Sequence, residues 1–231
     1  MTAMANTAEV AQSGAAPLCS VPAEGVGVDA AGKQTPVTWQ LPEEVAVALL
    51  INSEPYTVMM ATPANLTDFG RGFVLAEGII PSRADILGVI AMPVENGWAV
   101  DVAIDEEALT DARMPRRSLE GRSGCGLCGV ENIADVVRIT EPVAHTVRPS
   151  PEAMLKAARE LPKRQIMNRF NRTVHGAAWA SLGGDILYVR EDVGRHNALD
   201  KLIGVLAEEG VDVTTGFALM TSRCSFELVQ K

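Results

Sequence analysis

Leu199, Leu202, Ile203 and Leu206 recur at i, i+3, i+4 and i+7. One face of residues 196–208 is therefore continuously apolar, and Gly210 stands where such a helix closes. A short strand pattern precedes it at 185–189, a buried strand pattern follows at 217–220, and Ser222 opens another helix toward Lys231. Strands alternating with helices in this way are buried beneath them, so residues 149–231 are expected to form an α/β domain. In such folds, polar residues at strand ends and helix starts surround the ligand crevice.

The first half reads differently. Residues 1–35 are Ala, Gly, Ser, Thr and Pro without periodicity, which predicts a disordered tail with Cys19 in it as a bystander thiol. Val45, Val47, Leu49 and Ile51 alternate as a half-buried strand, Asn52-Ser53-Glu54-Pro55 turns, and 56–61 returns, predicting a hairpin. Leu66, Phe69, Phe73 and Val74 fall at helical spacing, with Thr67-Asp68 as capping groups and Gly78 at the end. Alternation resumes over 98–104. Residues 36–118 thus form a small α+β unit, followed at 119–148 by a flexible cysteine-bearing loop and linker that includes a short helix at 131–139. Ser150-Pro151-Glu152 is a strong helix start, with the helix expected to run to Glu160. The fold class is α/β overall.

With aromatic residues at only 4% against 47% hydrophobic, the core of this 231-residue chain must be built from Ala, Val, Leu, Ile and Met. A net charge of −9 argues against a broad nucleic-acid or anionic-membrane surface, but leaves room for a small anion in a local basic pocket. No apolar run approaches the roughly 20 residues that span a bilayer, and the N-terminus lacks the pattern of a secretory signal. Cys19, Cys125, Cys128 and Cys224 make no disulfide framework, which fits a reducing cytoplasm.

Two stretches carry chemistry. Gly124-Cys125-Gly126-Leu127-Cys128-Gly129 is a single C-x-x-C with glycine around it. Three readings stand side by side: half of a zinc site, a thioredoxin-like redox pair, or a nucleophilic thiolate that carries a persulfide. In the third, Arg122 helps to lower the thiol pKa, and the second cysteine expels the terminal sulfur by thiol exchange. Arg113, Arg116 and Arg117 upstream read as a solvated basic patch. The second stretch, 190–201, gathers Arg195, His196, Asn197, Asp200 and Lys201 at a helix N-terminus, where backbone N–H groups favour phosphate. Arg195 is suited to clamp phosphate bidentately. Asp192 or Asp200 is suited to accept from a guanine edge or ribose. Ser222-Arg223 repeats the helix-start logic beside it. His175 reads as a satisfied structural histidine.

Together with Asn52-Ser53-Glu54-Pro55, Phe69-Gly70-Arg71-Gly72-Phe73, Glu77-Gly78-Ile79-Ile80, Thr221-Ser222-Arg223 and Glu227-Leu228-Val229-Gln230-Lys231, these stretches resemble the FdhD family of formate dehydrogenase accessory sulfurtransferases, from about Val37 onward. The resemblance implies a persulfide relay. Cys125 would be the carrier and Cys128 the assisting thiol, with a cysteine desulfurase as donor. The molybdenum (or tungsten) bis-guanine-dinucleotide cofactor of formate dehydrogenase would receive the sulfur, and guanine nucleotide would mimic it. It also implies a homodimer and a cytidine-deaminase-like second domain. H-x-E with P-C-x-x-C is missing, since Gly176-Ala177 follows His175 and Gly126-Leu127 follows Cys125, so zinc deaminase chemistry is not expected. Family members continue beyond the position of Lys231, so a domain truncated at its C-terminus is expected. The competing readings are a cofactor chaperone without covalent chemistry and a zinc-stabilised module.

Overall fold

The computed structural model describes residues 19–109 and 148–231. Cys125, Cys128, the upstream arginines and the helix expected at 131–139 lie outside the described residues.

The expected disordered tail is corrected from Ser20 onward. β1 (Ser20–Val28) and β2 (Gln34–Pro42) pair antiparallel as a ribbon. The turn between them is local chemistry: Asp29 Oδ1 accepts from the N–H of Ala31 at 2.9 Å and of Lys33 at 3.0 Å, and Gly32 takes φ 80°. Trp39 donates its indole N–H to the Asn171 carbonyl at 3.3 Å, tying the ribbon to the second half of the chain.

β3 (Val45–Ile51) and β4 (Glu54–Ala61) form the expected hairpin. The helix that follows, α1 (Leu66–Ala76), ends before Gly78 at φ 65° as expected. Its N-cap is Asn65, in the left-handed region, rather than Thr67 or Asp68. β5 (Ile86–Val94) and β6 (Gly97–Ile104) complete a sheet of order β4-β3-β6-β5, in which β3 and β6 run parallel. One face, with Val47, Leu49, Ile51, Val100 and Val102, packs on Phe69, Phe73 and Val74 of α1. Gly70 permits this approach, because a Cβ there would press on Val100 and Val102.

The second unit contains α2 (Pro151–Arg164), α3 (Ile166–Asn171), β7 (His175–Ser181), β8 (Ile186–Asp192), α4 (Arg195–Glu208), β9 (Gly216–Met220) and α5 (Phe226–Gln230). Ser150 caps α2 through Ala153 N–H as the sequence predicts, but the helix continues through Pro162 to Arg164. The sheet order is β8-β7-β9, antiparallel throughout. Alternation along β7 sends Ala177 and Trp179 to α4, and Ala178 and Ala180 to α2. Helices therefore cover both faces, as an α/β arrangement requires. β9 is a half-buried edge rather than a buried strand. The helix expected from Ser222 begins at Phe226, with Ser225 as N-cap.

The two units meet helix to helix. A Cβ on Gly72 of α1 would overlap the Asp200 carbonyl, and one on Gly204 of α4 would overlap the Asp68 carbonyl. Backbone contact at this seam explains both glycines, including the second of the Phe69-Gly70-Arg71-Gly72-Phe73 signature. No helix among the described residues is long and apolar enough to cross a membrane.

Candidate functional site

β8 delivers residues 190–192 to the seam and α4 starts three residues later, so the 190–201 stretch is folded back across both units. Arg190 donates from Nε to Asp68 on α1 at 2.7 Å. Glu191 caps the otherwise uncapped N-terminus of α3, accepting from the N–H of Met167 and Asn168 at 2.9 Å each. Burial pushes its carboxyl up despite those bonds.

Asp192 is fully buried, and its two oxygens accept four hydrogen bonds. They come from Lys201 Nζ at 2.6 Å, Gly194 N–H at 2.8 Å, Asn197 Nδ2 at 3.0 Å and Thr62 N–H at 3.0 Å. Lys201 also donates to the Thr62 carbonyl and Asn197 to the Met60 carbonyl, both at 2.9 Å. A buried carboxylate is tolerable only with its acceptor sites filled and a cation beside it, and Asp192 has both. This node staples the end of β4 to the start of α4.

Asp200, one turn along α4, is also fully buried. It accepts from Lys231 Nζ at 2.8 Å on each oxygen, and Lys231 reaches Glu77 at 3.2 Å. Burial pushes the Asp200 carboxyl up to about 6, against the pull of Lys231; burial also works against the Lys231 ammonium, but Asp200 and Glu77 together outweigh it and hold that group above its usual range.

Of the residues predicted to contact a ligand, Asn197, Asp200 and Lys201 are thus interior groups with filled bonds, and neither Asp192 nor Asp200 presents a free edge to guanine. Arg195 and His196 stand elsewhere, at the N-terminal corner of α4. Both meet Glu227 Oε1 of α5, at 3.1 and 3.3 Å, and Ser225 donates to the same oxygen at 2.7 Å. Burial opposes ionisation of Glu227. Hydrogen bonds from its own backbone N–H, Ser225, Arg195 and His196 together outweigh that, and the carboxyl sits at about 2. Burial, then Lys231 and Arg195, lower the His196 pKa below 6.5, so its imidazole is neutral near pH 7. His175, half-buried on β7, is lowered too, by burial first and Arg195 second. Arg223 is exposed and Ser222 half-buried, with its hydroxyl on the Arg223 carbonyl. Neither starts a helix.

What remains unsatisfied is specific. No side chain caps the N-terminus of α4, where Gly194 stands as N-cap. Arg195 Nε beside it is buried without a hydrogen-bond partner. An uncapped helix start with an unsatisfied guanidinium N–H suits an anion such as phosphate. Ser225 and Thr62 escaped the reading of the sequence, and Glu227 entered it only within a family signature, not as a site residue. Ser225-x-Glu227 ahead of an apolar helix was the available signal for Ser225 and Glu227, and nothing local marks Thr62. Cys19 is half-buried with its thiol pushed up by burial and by Glu43, which suits an unreactive bystander, and Cys224 is exposed.

The model of the FdhD/NarQ family matches residues 42–231. The chain belongs to this family. It is 45% identical over 188 residues to the sulfur carrier protein FdhD of Variovorax paradoxus (strain S110), a match covering 81% of this chain and 68% of that protein. The sulfur carrier protein FdhD of Cupriavidus necator is 44% identical over 192 residues, covering 83% of this chain and 67% of the relative. In fold, the chain resembles the crystal structure of a protein assigned as a formate dehydrogenase accessory protein from Desulfotalea psychrophila. The TM-score is 0.67 at 21% identity, over 91% of this chain and 76% of that one. The FdhD/NarQ match contains Cys125-Gly126-Leu127-Cys128, the α4 corner and the seam glycines within its bounds.

Proposed function

We propose that this chain is a sulfur carrier of formate dehydrogenase maturation, with Cys125 as the persulfide-bearing residue. The observation that carries the reading is the C-x-x-C pair inside a region 45% identical to a protein named as a sulfur carrier. The donor is a cysteine desulfurase bearing a persulfide. The Cys125 thiolate attacks its terminal sulfur, the donor S–S bond breaks, and the donor cysteine leaves as thiolate. Cys128 then attacks Sγ of Cys125, a disulfide forms, and the terminal sulfur departs as hydrosulfide with the electron pair. A dithiol reductant resets the pair. The cytoplasm, where thiols stay reduced, is the compartment for this cycle.

The acceptor is the molybdenum or tungsten bis-guanine-dinucleotide cofactor, bound as substrate. Its phosphates suit the α4 N-terminus, with Arg195 as the clamp and Ser222 and Arg223 nearby in sequence to α5. His196, neutral near pH 7, adds a hydrogen-bonding group without a second positive charge. The guanine edge needs partners other than Asp192 and Asp200. A homodimer is the assembly in which we place this cycle.

Intact-protein mass spectrometry after incubation with a cysteine desulfurase and L-cysteine tests the reading. The parent should gain about one sulfur mass, lost on reduction with a thiol and absent in Cys125→Ala. A parent that gains nothing, with both thiols free, overturns the relay.

A further inference from the structure

The four-stranded sheet has a second face, opposite α1, and the cross-strand register defines it. Three rows run from β4 through β3 and β6 to β5: Met60–Ala46–Gly97–Val94, Val58–Ala48–Ala99–Met92 and Pro55–Leu50–Asp101–Ile90. Strand alternation turns these residues away from the buried Val47, Leu49, Val100 and Val102. The two central strands contribute mostly alanine and glycine, while the outer strands contribute large apolar side chains. Val58 is 59% exposed and Ile90 61%, with Met60, Met92 and Val94 exposed as well. The face is therefore a trough with a low floor and high apolar walls.

Its dimensions suit one kind of occupant. Three strand spacings separate β4 from β5, about 14 Å. An α-helix with its side chains is about 10–12 Å across. Three rows extend about 13 Å along the strands, which matches roughly nine residues of helix. Charge narrows the choice further. β3, β4, β5 and β6 contain no lysine or arginine, Glu44 and Glu95 flank one end of the trough, and Asp101, which accepts from Ser53, lies in the row at the other. A second copy presenting this face would set carboxylates against carboxylates.

We propose that this trough docks an amphipathic helix of another protein, with an apolar stripe of about nine residues flanked by Lys and Arg. The apolar stripe fills the space over Ala46, Ala48 and Ala99, and the basic flanks meet the acidic ends. The inference is independent of sulfur carriage, and its test contains no sulfur donor.

The full chain, labelled with 13C at the methionine methyl groups, is titrated with a synthetic helical peptide carrying a leucine stripe between lysines. A second peptide has glutamate at every lysine. Met60 and Met92 report on the trough, and Met154, exposed on α2, is the control. The lysine peptide should shift Met60 and Met92 and leave Met154 unmoved. The glutamate peptide should bind at least tenfold more weakly, and Ile90→Lys should cost the lysine peptide at least tenfold while the other methionine resonances stay in place. No shift, or equal shifts with both peptides, overturns the proposal. Met60 and Met92 resonances that move with protein concentration alone assign the face to a second copy. Protection of both methyls from a soluble paramagnetic agent in dilute protein assigns it to the chain's own residues 110–147. Either result also overturns the proposal.

Discussion

Lys201 and Asp192 pair at 2.6 Å with neither side chain exposed, whereas Arg195 and Glu227 pair at 3.1 Å with 16% of each side chain in solvent. Both pairs draw on the same short stretch of sequence, yet they have opposite roles. The first is an interior node whose every bond is filled by Thr62, Gly194 and Asn197. The second keeps an unpartnered guanidinium N–H beside an uncapped helix start. Density of polar residues along a chain therefore does not locate a ligand; burial sorts the groups that build the fold from those that can leave it. If this division is right, changes at the node cost stability and changes at the corner cost binding.

The largest effect is expected at the node. Lys201→Ala leaves the buried Asp192 without its cation, a loss of about 3–5 kcal/mol. Urea denaturation of parent and variant measures it. Partial recovery in the double variant Lys201→Met, Asp192→Asn, which removes the buried charge but keeps an oxygen to accept from Thr62 and Gly194, would identify the uncompensated carboxylate, rather than lost packing, as the cause. A loss under about 1 kcal/mol in Lys201→Ala would erase the distinction between the two pairs.

The seam comes next. Gly72→Ala and Gly204→Ala each place a Cβ onto a facing backbone carbonyl, which cannot rotate away. Pushing the helices apart costs about 2–3 kcal/mol for each variant. The two should be far from additive, because one displacement of α1 from α4 relieves both overlaps.

This seam also marks where the sequence was legible and where it was not. Periodicity located β3, β4, α1, β6 and α4, and Gly78 and Gly210 ended their helices, because each signal is local. β1 and β2 escaped because Ala23, Gly25, Gly27 and Pro36 are poor strand formers that pair only as a ribbon anchored by Trp39. β7 escaped because Ala177, Ala178 and Ala180 owe their place to helices on both sides, not to β propensity. Within the site, Arg195 and His196 fell where a helix start predicts. Asn197, Asp200 and Lys201 share with Gly204 a stripe at i, i+3, i+4 and i+7 that faces the first unit, and the glycine in it was the clue to close packing. Their partners Thr62, Met60 and Lys231 come from other parts of the chain, and no local pattern names them.

A smaller effect separates the pairs by pH. Glu227 has its folded carboxyl pulled from 4.5 down to about 2. A depressed carboxyl stabilises the fold above its unfolded pKa, and that contribution is lost as pH falls through the folded value. Stability should therefore drop by about 1–2 kcal/mol between pH 5 and pH 2 through this group, after allowance for solvent screening of a partly exposed pair. Comparing denaturation of parent and Glu227→Gln across that range isolates it: the variant should be less stable at pH 6, with the gap closing toward pH 2. A gap independent of pH would mean that packing of α5, not the charge of Glu227, holds the corner.

The smallest stability effect is expected at the residue with the largest expected effect on binding. Arg195→Ala removes a partly exposed partner of Glu227, a change within about 1 kcal/mol. The same substitution removes the cation beside the α4 N-terminus, where an anion would gain both the helix dipole and a charge-assisted bond. If the corner takes nucleotide phosphate as proposed, guanosine diphosphate binding, followed by calorimetry in low salt, should weaken at least tenfold in Arg195→Ala. It should weaken by much less in Arg195→Lys, which keeps the charge and loses the planar fork. In Asn197→Ala the helix start and Arg195 remain, so a folded variant should bind as the parent does while losing stability through Asp192 and Met60. If instead Asn197→Ala lost binding and Arg195→Ala kept it, the interior node would be the ligand site. The division drawn between the two pairs would then have to be reversed.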